Sequence, residues 1–246
     1  MKSGSKRNTL STFHYSPNNT HPLSFTHNTY MLNIQRFVCN MLQENCYIVS
    51  DETLEAVIID CGAYFKDEGL AITNYIDSHG LKPKHLLCTH GHFDHCMGNE
   101  LIYNRYGLKP EVAIQDQWLM ETMASQIRDI TGVDLPLAAP PVGRYLTPSD
   151  IISFGTHHFT ILPTPGHTPG SVLFHCEDES VVFSGDTLFY QSIGRTDFDR
   201  GSYADMVNSL RNVVCKLPDN TIVYSGHGPK TTIVDEKSAN PYLLNL

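Results

Sequence analysis

Residues 89–95 read Thr89-His90-Gly91-His92-Phe93-Asp94-His95, three imidazoles and a carboxylate directly after the apolar run 85–89. Four side chains of this kind at a strand end cannot all pack as core. Neutral imidazole and carboxylate are the usual protein ligands of zinc and iron. The spacing divides into two pairs. In a turn, His90 and His92 converge on one point. Asp94 and His95, at the start of a following helix, converge on a second. The competing reading is a solvated helix start capped by Asp94, and it leaves three histidines at this spacing unexplained.

Four ligands do not complete two metal sites. Three further candidates stand at strand ends. They are His167 in Pro165-Gly166-His167-Thr168-Pro169-Gly170, Asp186 in Ser184-Gly185-Asp186-Thr187, and His227 in Ser225-Gly226-His227-Gly228-Pro229. Small neighbours let the backbone approach a bulky group closely. Taken singly, each is more often a turn histidine or a capping Asp. Together they bring the set to seven. No Ser-His-Asp or Cys-His pair occurs at a recognisable spacing, so water activated by metal is the nucleophile such a site would use. Arg195 either faces an anionic substrate group or pins its own loop through Asp197 or Asp199, the commoner arrangement. Tyr190 and Tyr242 read as partial core more than as pocket lining. His79, His85, His157, His158 and His175 lack partners at ligand spacing.

The elements that must carry these residues alternate between strand and helix. Short β-branched or aromatic runs at 46–49, 56–60, 85–89, 159–163, 171–176, 180–184 and 221–225 predict strands. Ile72, Tyr75, Ile76 and His79 share one face of a helix over 67–79, with Gly80 as its stop. Residues 111–131 hold one helix or two. Ser202-Tyr203-Ala204-Asp205 is a capping box. It opens a helix with Met206, Val207, Leu210, Val213, Val214 and Leu217 in one stripe. Residues 132–150 carry four prolines and read as a long loop, a candidate lid. The strands bunch on either side of 111–150, which suits two packed sheets with helices outside, an α/β fold.

The seven candidates, in this order, closely resemble the metallo-β-lactamase superfamily, from about Met31 onward. The resemblance implies a four-layer αββα sandwich with a metal site at the sheet edges. It implies that His90, His92 and His167 hold one metal, that Asp94, His95 and His227 hold another, and that Asp186 bridges them. Asp60, in Val57-Ile58-Ile59-Asp60-Cys61-Gly62, matches a family carboxylate that orients ligand histidines from behind. Cys96 matches a position that starts a buried helix. Gly185-Asp186-Thr187-Leu188-Phe189, Ser192-Ile193-Gly194-Arg195-Thr196-Asp197 and Gly226-His227-Gly228-Pro229 are similar to segments of the small glyoxalase II-like (hydroxyacylglutathione hydrolase-like) enzymes. Those enzymes carry a glutathione-gripping helical domain with no counterpart here, and have Gly-His-Glu where this chain has Gly-His-Gly. The thiol half of the substrate therefore does not follow from the resemblance. The implied activity is hydrolysis of 2-hydroxyacyl thioesters by a metal-bound hydroxide, with Asp94 holding or receiving the proton. Two divalent ions serve it, Zn2+ first, with Fe or Mn compatible. Gly194-Arg195-Thr196-Asp197-Phe198 is also similar to a segment of persulfide dioxygenases, which would use one iron on His90 or His92, His167 and Asp186.

Composition sets the boundaries of these readings. The chain has 246 residues, 41% hydrophobic and 17% charged, which is globular rather than disordered. A net charge of −9 argues against a nucleic-acid or anionic-membrane partner and leaves a small-molecule thioester as the expected one. No apolar run approaches the ~18 residues of a membrane span. An odd number of cysteines, several inside apolar runs, fits a reducing cytoplasm. Residues 1–30 are polar and lack both periodicity and the apolar centre of a secretory signal. They read as a disordered or loosely packed arm on a hydrolase domain of residues 31–246. Deleting residues 2–30 should move the melting temperature by no more than about 2 °C. A larger drop in a thermal melt would mean that the arm packs on the domain.

Overall fold

The computed structural model describes Met1, residues 31–134 and residues 139–246. Apart from Met1, the expected arm lies outside the described residues, as does part of the 132–150 loop.

Sheet one contains β1 (Asn33–Cys39), β2 (Glu44–Ser50), β3 (Glu55–Ile59), β4 (Lys82–Leu87), β5 (Pro110–Ala113) and β6 (Arg144–Leu146), side by side in that order. The pairs β1–β2 and β2–β3 are antiparallel, and β3 to β6 run parallel. Parallel neighbours need crossovers. These are α1 (Lys66–Ser78), α2 (Asn99–Tyr106), and the short pair α3 (Gln117–Glu121) and α4 (Met123–Thr131). Sheet two is built from β7 (Ile151–Phe154), β8 (His157–Pro163), β9 (Val172–Cys176) and β10 (Val181–Gly185). A small hairpin, β11 (Leu188–Phe189) and β12 (Ser192–Ile193), and α5 (Tyr203–Asn212) follow. Then come β13 (Ile222–Ser225), β14 (Thr231–Thr232) and α6 (Ile233–Ala239). The order in sheet two is β14-β13-β10-β9-β8-β7.

Both faces of the central strands are buried, which is why they read as continuous apolar runs rather than alternating ones. Tyr47, Val49, Val57, Ile59, Val181 and Phe183 point into the core between the sheets. Their neighbours Cys46, Ile48, Ala56 and Ile58 meet Ile72 and Ile76 of α1. Val182 and Val223 meet Met206 and Leu210 of α5 on the other side. The result is the expected αββα sandwich. Helix α1 stops at Gly80, whose φ of +64° and the Leu81 N–H to Ile76 carbonyl bond of 3.0 Å close the last turn. At the start of α5, Ser202 Oγ accepts from the Asp205 N–H at 3.2 Å, as its capping position implies.

Several local expectations change, among them α5, which ends at Asn212, so that Val213, Val214 and Leu217 of the expected stripe lie beyond it. Residues 110–113 form β5 before the two short helices, because they find an open parallel slot beside β4. The 132–150 segment contains β6, too short to leave a periodic signal. Phe93–His95 is one turn of 3-10 helix, and the α-helix begins only at Asn99. Among the described residues no helix is long and apolar enough to cross a membrane.

Phe183 is 1% exposed and meets Tyr47 and Phe159 edge-on, with centroids 5.3 and 5.6 Å away, and stacks on Tyr224. Phe183→Ala should cost about 3–5 kcal/mol in chemical denaturation. A cost below about 1 kcal/mol would mean that the sheets collapse onto the vacated space.

Candidate metal centre

The seven candidates meet at one edge of the sandwich. Sheet one ends β4 at Leu87, and the next residues carry His90, His92, Asp94 and His95 across that edge. From sheet two come His167 on the β8–β9 connection, Asp186 directly after β10, and His227 beyond β13. Because β10 and β13 are parallel neighbours, Asp186 and His227 leave the sheet side by side. The His227 loop is also tied to sheet one. Asn45 donates from its backbone to the Gly226 carbonyl at 2.7 Å, and the Tyr47 hydroxyl donates to the Ser225 carbonyl at 2.7 Å.

The donor atoms fall into overlapping groups, each within 4.8 Å. One is His90, His92 and His167, another is Asp94, His95 and His227, and a third is His90, His95 and Asp186. His92 Nδ1 lies 2.8 Å from His167 Nε2. Asp94 Oδ2 lies 3.4 Å from His227 Nε2 and 3.7 Å from His95 Nε2. Asp186 reaches both sides, with Oδ1 3.3 Å from His95 Nε2 and Oδ2 3.5 Å from His167 Nε2 and 3.6 Å from His227 Nε2. Asp186 thus lies between the two groups of donors.

A cation pair fits this donor set. His90 Nε2 is buried with no hydrogen-bond partner among the described residues, and the buried pair His95 Nε2 and Asp186 Oδ1, 3.3 Å apart, makes no well-aligned hydrogen bond. Orphaned polar atoms of this kind are costly unless something at the site satisfies them. The far sides of four rings are already engaged. His95 Nδ1 faces Asp60 Oδ2 at 3.1 Å, His167 Nδ1 the Arg195 carbonyl at 2.7 Å, and His227 Nδ1 the Leu42 carbonyl at 3.1 Å. His90 Nδ1 faces the Thr89 hydroxyl at 3.1 Å. With Nδ1 as the proton-bearing atom of the neutral ring, each of these histidines can turn an Nε2 lone pair to the centre, His95 on giving up its second proton. Burial drives His90 far below the usual imidazole pKa and holds His92 at about 3, so both are neutral donors. Burial disfavours charge on His95 too, but Asp186 and Asp94 outweigh it and raise that ring. Burial likewise opposes ionisation of Asp94 and Asp186, and His95 beside them wins, keeping both carboxylates ionised.

Asp60 stands behind His95. It sits at a positive φ of 52°, accepts from the Thr89 N–H and hydroxyl at 2.7 Å each, and backs His95. Glu44 was not singled out from the sequence. It is fully buried, its carboxyl is pushed up by burial, and Oε1 lies 4.0 Å from His95 Nδ1. Gly226 is needed for space. A Cβ there would lie 2.3 Å from Asp186 Oδ1 and 2.6 Å from His95 Cε1.

The centre opens into a cleft of about 440 Å³ walled by Leu42, Phe93, Ile130, Phe189, Ile193 and Phe198. Arg195 lines it but is engaged, with two 2.7 Å bonds to Asp197 and its guanidinium 4.1 Å from the Phe198 ring centre. Cys96 is buried and its thiol is pushed up chiefly by the neighbouring Cys88, so it is no nucleophile. Tyr190 and Tyr242 are largely exposed and stand outside the cleft. His85 and His157 are structural, paired with Glu111 at 2.6 Å and with Asp51 at 3.1 Å.

Comparison with known proteins agrees with this geometry. A family model described as the metallo-beta-lactamase superfamily matches residues 39–227. Hydroxyacylglutathione hydrolase GloC of Haemophilus influenzae is 34% identical over 215 residues, 86% of this chain and 98% of its own. The probable metallo-hydrolase YqgX of Bacillus subtilis is 33% identical over 212 residues, 85% of this chain and 96% of its own. Among solved structures, BLEG-1 B3 metallo-beta-lactamase superposes with a TM-score of 0.79 at 34% identity, covering 86% of this chain and 99% of that one. TTHA1623 in a di-iron-bound form gives 0.76 at 33% identity, covering 85% and 100%. ETHE1 from Myxococcus xanthus gives 0.69 at 26% identity, covering 85% and 83%. A match of that extent, on a chain that gathers these donors at one sandwich edge, makes this protein a member of the metallo-beta-lactamase superfamily of metal-dependent hydrolases.

Proposed function

We propose that the protein hydrolyses thioesters of the 2-hydroxyacyl-thiol type with two divalent ions, Zn2+ first among them. The observation that carries this reading is the pair of three-residue donor groups joined through Asp186. His90, His92 and His167 would hold one ion, Asp94, His95 and His227 the other, and Asp186 both. Such a pair polarises a carbonyl and acidifies a water when bound. The chain's own residues do the rest. Asp94 is kept ionised, and its Oδ2, among the donors at the floor of the cleft, would receive the proton of the attacking water. The apolar walls seat the acyl chain and keep bulk water from it. A thiolate leaves without prior protonation, so no separate acid is required. The hydroxyacylglutathione hydrolase among the relatives supports the thioester class. The one-iron oxidoreductase reading uses His90 or His92, His167 and Asp186, and gives the Asp94–His95–His227 group no role.

Purified protein should carry close to two metals per chain. It should turn over a 2-hydroxyacyl thioester faster than a lactone or a β-lactam, and should consume no oxygen with a persulfide. One iron per chain with persulfide-dependent oxygen uptake would replace hydrolysis with oxidation, and preference for the β-lactam would move the substrate class.

Asp186→Asn should lose one metal and about 100-fold or more in turnover while staying folded, since it removes the charge shared by both ions. A folded variant with two metals and near-normal turnover would sink the two-metal mechanism. Gly226→Ala should lower metal content by crowding Asp186 and His95, read by elemental analysis. Full occupancy in that variant would show that the Asp186 carboxylate has room to move.

A further inference from the structure

Asp116 is a carboxylate with no solvent exposure, between β5 and α3, and none of the roles above uses it. Its Oδ2 accepts from the Gly91 N–H at 2.9 Å and from the Thr168 hydroxyl at 2.7 Å, and its Oδ1 accepts from the Gly170 N–H at 2.8 Å. Gly91 lies between His90 and His92, and Thr168 follows His167. The first loop leaves sheet one and the second belongs to sheet two. Room for the carboxylate is made by glycines. A Cβ on Gly170 would come within 2.5 Å of Asp116 Cγ, and one on Gly91 within 3.2 Å of its Cβ. Burying a carboxylate is expensive and raises its pKa, and three donors from two loops oppose that shift by favouring the ionised form. An apolar side chain would fill the same volume and hold neither loop.

We propose that Asp116 is a positioning residue for the three-histidine half of the metal centre, clamping the His90–His92 loop of sheet one to the His167 loop of sheet two. The clamp is reinforced by a backbone bond from the Val172 N–H to the Thr89 carbonyl at 2.9 Å. Asp60 does the corresponding work for His95, and its hydrogen bonds stay within the residues of sheet one and its exit loop. Asp116 therefore joins the two loops that carry His90, His92 and His167, and Asp60 backs His95 directly and His90 through Thr89. Disturbing Asp116 weakens the His90–His92–His167 group and spares the Asp94–His95–His227 group. A merely structural residue would weaken both alike.

The test isolates each half. Zn2+ affinity is measured by competition with a chromophoric chelator in two backgrounds. His227→Ala leaves the three-histidine group intact, and His167→Ala leaves the Asp94 group intact. Asp116→Asn keeps the size of the side chain but turns an amide N–H toward a backbone N–H. It should lower Zn2+ affinity about 10–100-fold in the His227→Ala background, the range for residues that orient ligands from behind. In the His167→Ala background the change should stay within about 3-fold. Thr168→Val removes one of the three bonds at constant shape. It should shift affinity in the same sense by a smaller factor, and it decides the matter if Asp116→Asn does not fold, as judged by circular dichroism of the metal-free protein. Equal losses in both backgrounds, a larger loss in the His167→Ala background, or no loss in either would overturn the proposal.

Discussion

His90, His92, Asp94 and His95 leave from one sheet and His167, Asp186 and His227 from the other, so the metal centre exists only while the two sheet edges stay in fixed register. A displacement of an ångström between the sheets would move the first four donors relative to the other three, and metal–ligand distances tolerate only about ±0.2 Å. Two kinds of contact hold that register. The interior between the sheets, with Phe183, Tyr47 and Phe159 interlocked, resists sliding because close-packed side chains have few alternative arrangements. At the edge itself, Asn45 and Tyr47 of β2 bond to the Ser225 and Gly226 carbonyls, directly before His227.

The electrostatics of the centre follow from how deeply it is placed. A buried imidazole is most easily kept neutral, and His90 and His92 are. A buried carboxylate needs compensating charge, and Asp94 and Asp186 find it in His95. Among the described residues, His90 Nε2 is buried at the centre with no hydrogen-bond partner. Cations supply what the chain lacks, and their binding stabilises the folded state by linkage. The cleft above is apolar on most of its walls, and Arg195, which lines it, is committed to Asp197. Shape and apolar contact therefore have the larger share in seating a substrate, and the polar work is concentrated at the floor.

Much of this was legible in the sequence because it is written locally. The motif from His90 to His95 packs four donors into six positions, a density that no core or surface requirement produces. The Gly-flanked His167, Asp186 and His227 announce close approach of the backbone to something. The apolar runs of β2, β3, β9 and β10 and the capped stripe of α5 follow from periodicity and cap chemistry. What remained hidden was short or non-local. β6 is three residues long and exists because β5 offers an edge. Glu44 is one polar residue at the start of an apolar strand, and nothing in its neighbours marks it as buried.

The sequence by itself determined which residue types could bind metal, in what order, and on what class of scaffold, since ligand chemistry and apolar periodicity are properties of short segments. Only the tertiary structure decided that Asp186 touches donors from both groups, that Arg195 turns away to Asp197, and that Asp116 joins two loops lying 52 and 25 residues from it along the chain. The reason is physical. A hydrogen bond between distant segments depends on where two strands end relative to each other, and that is fixed by the packing of the whole sandwich, to which no local run of residues corresponds.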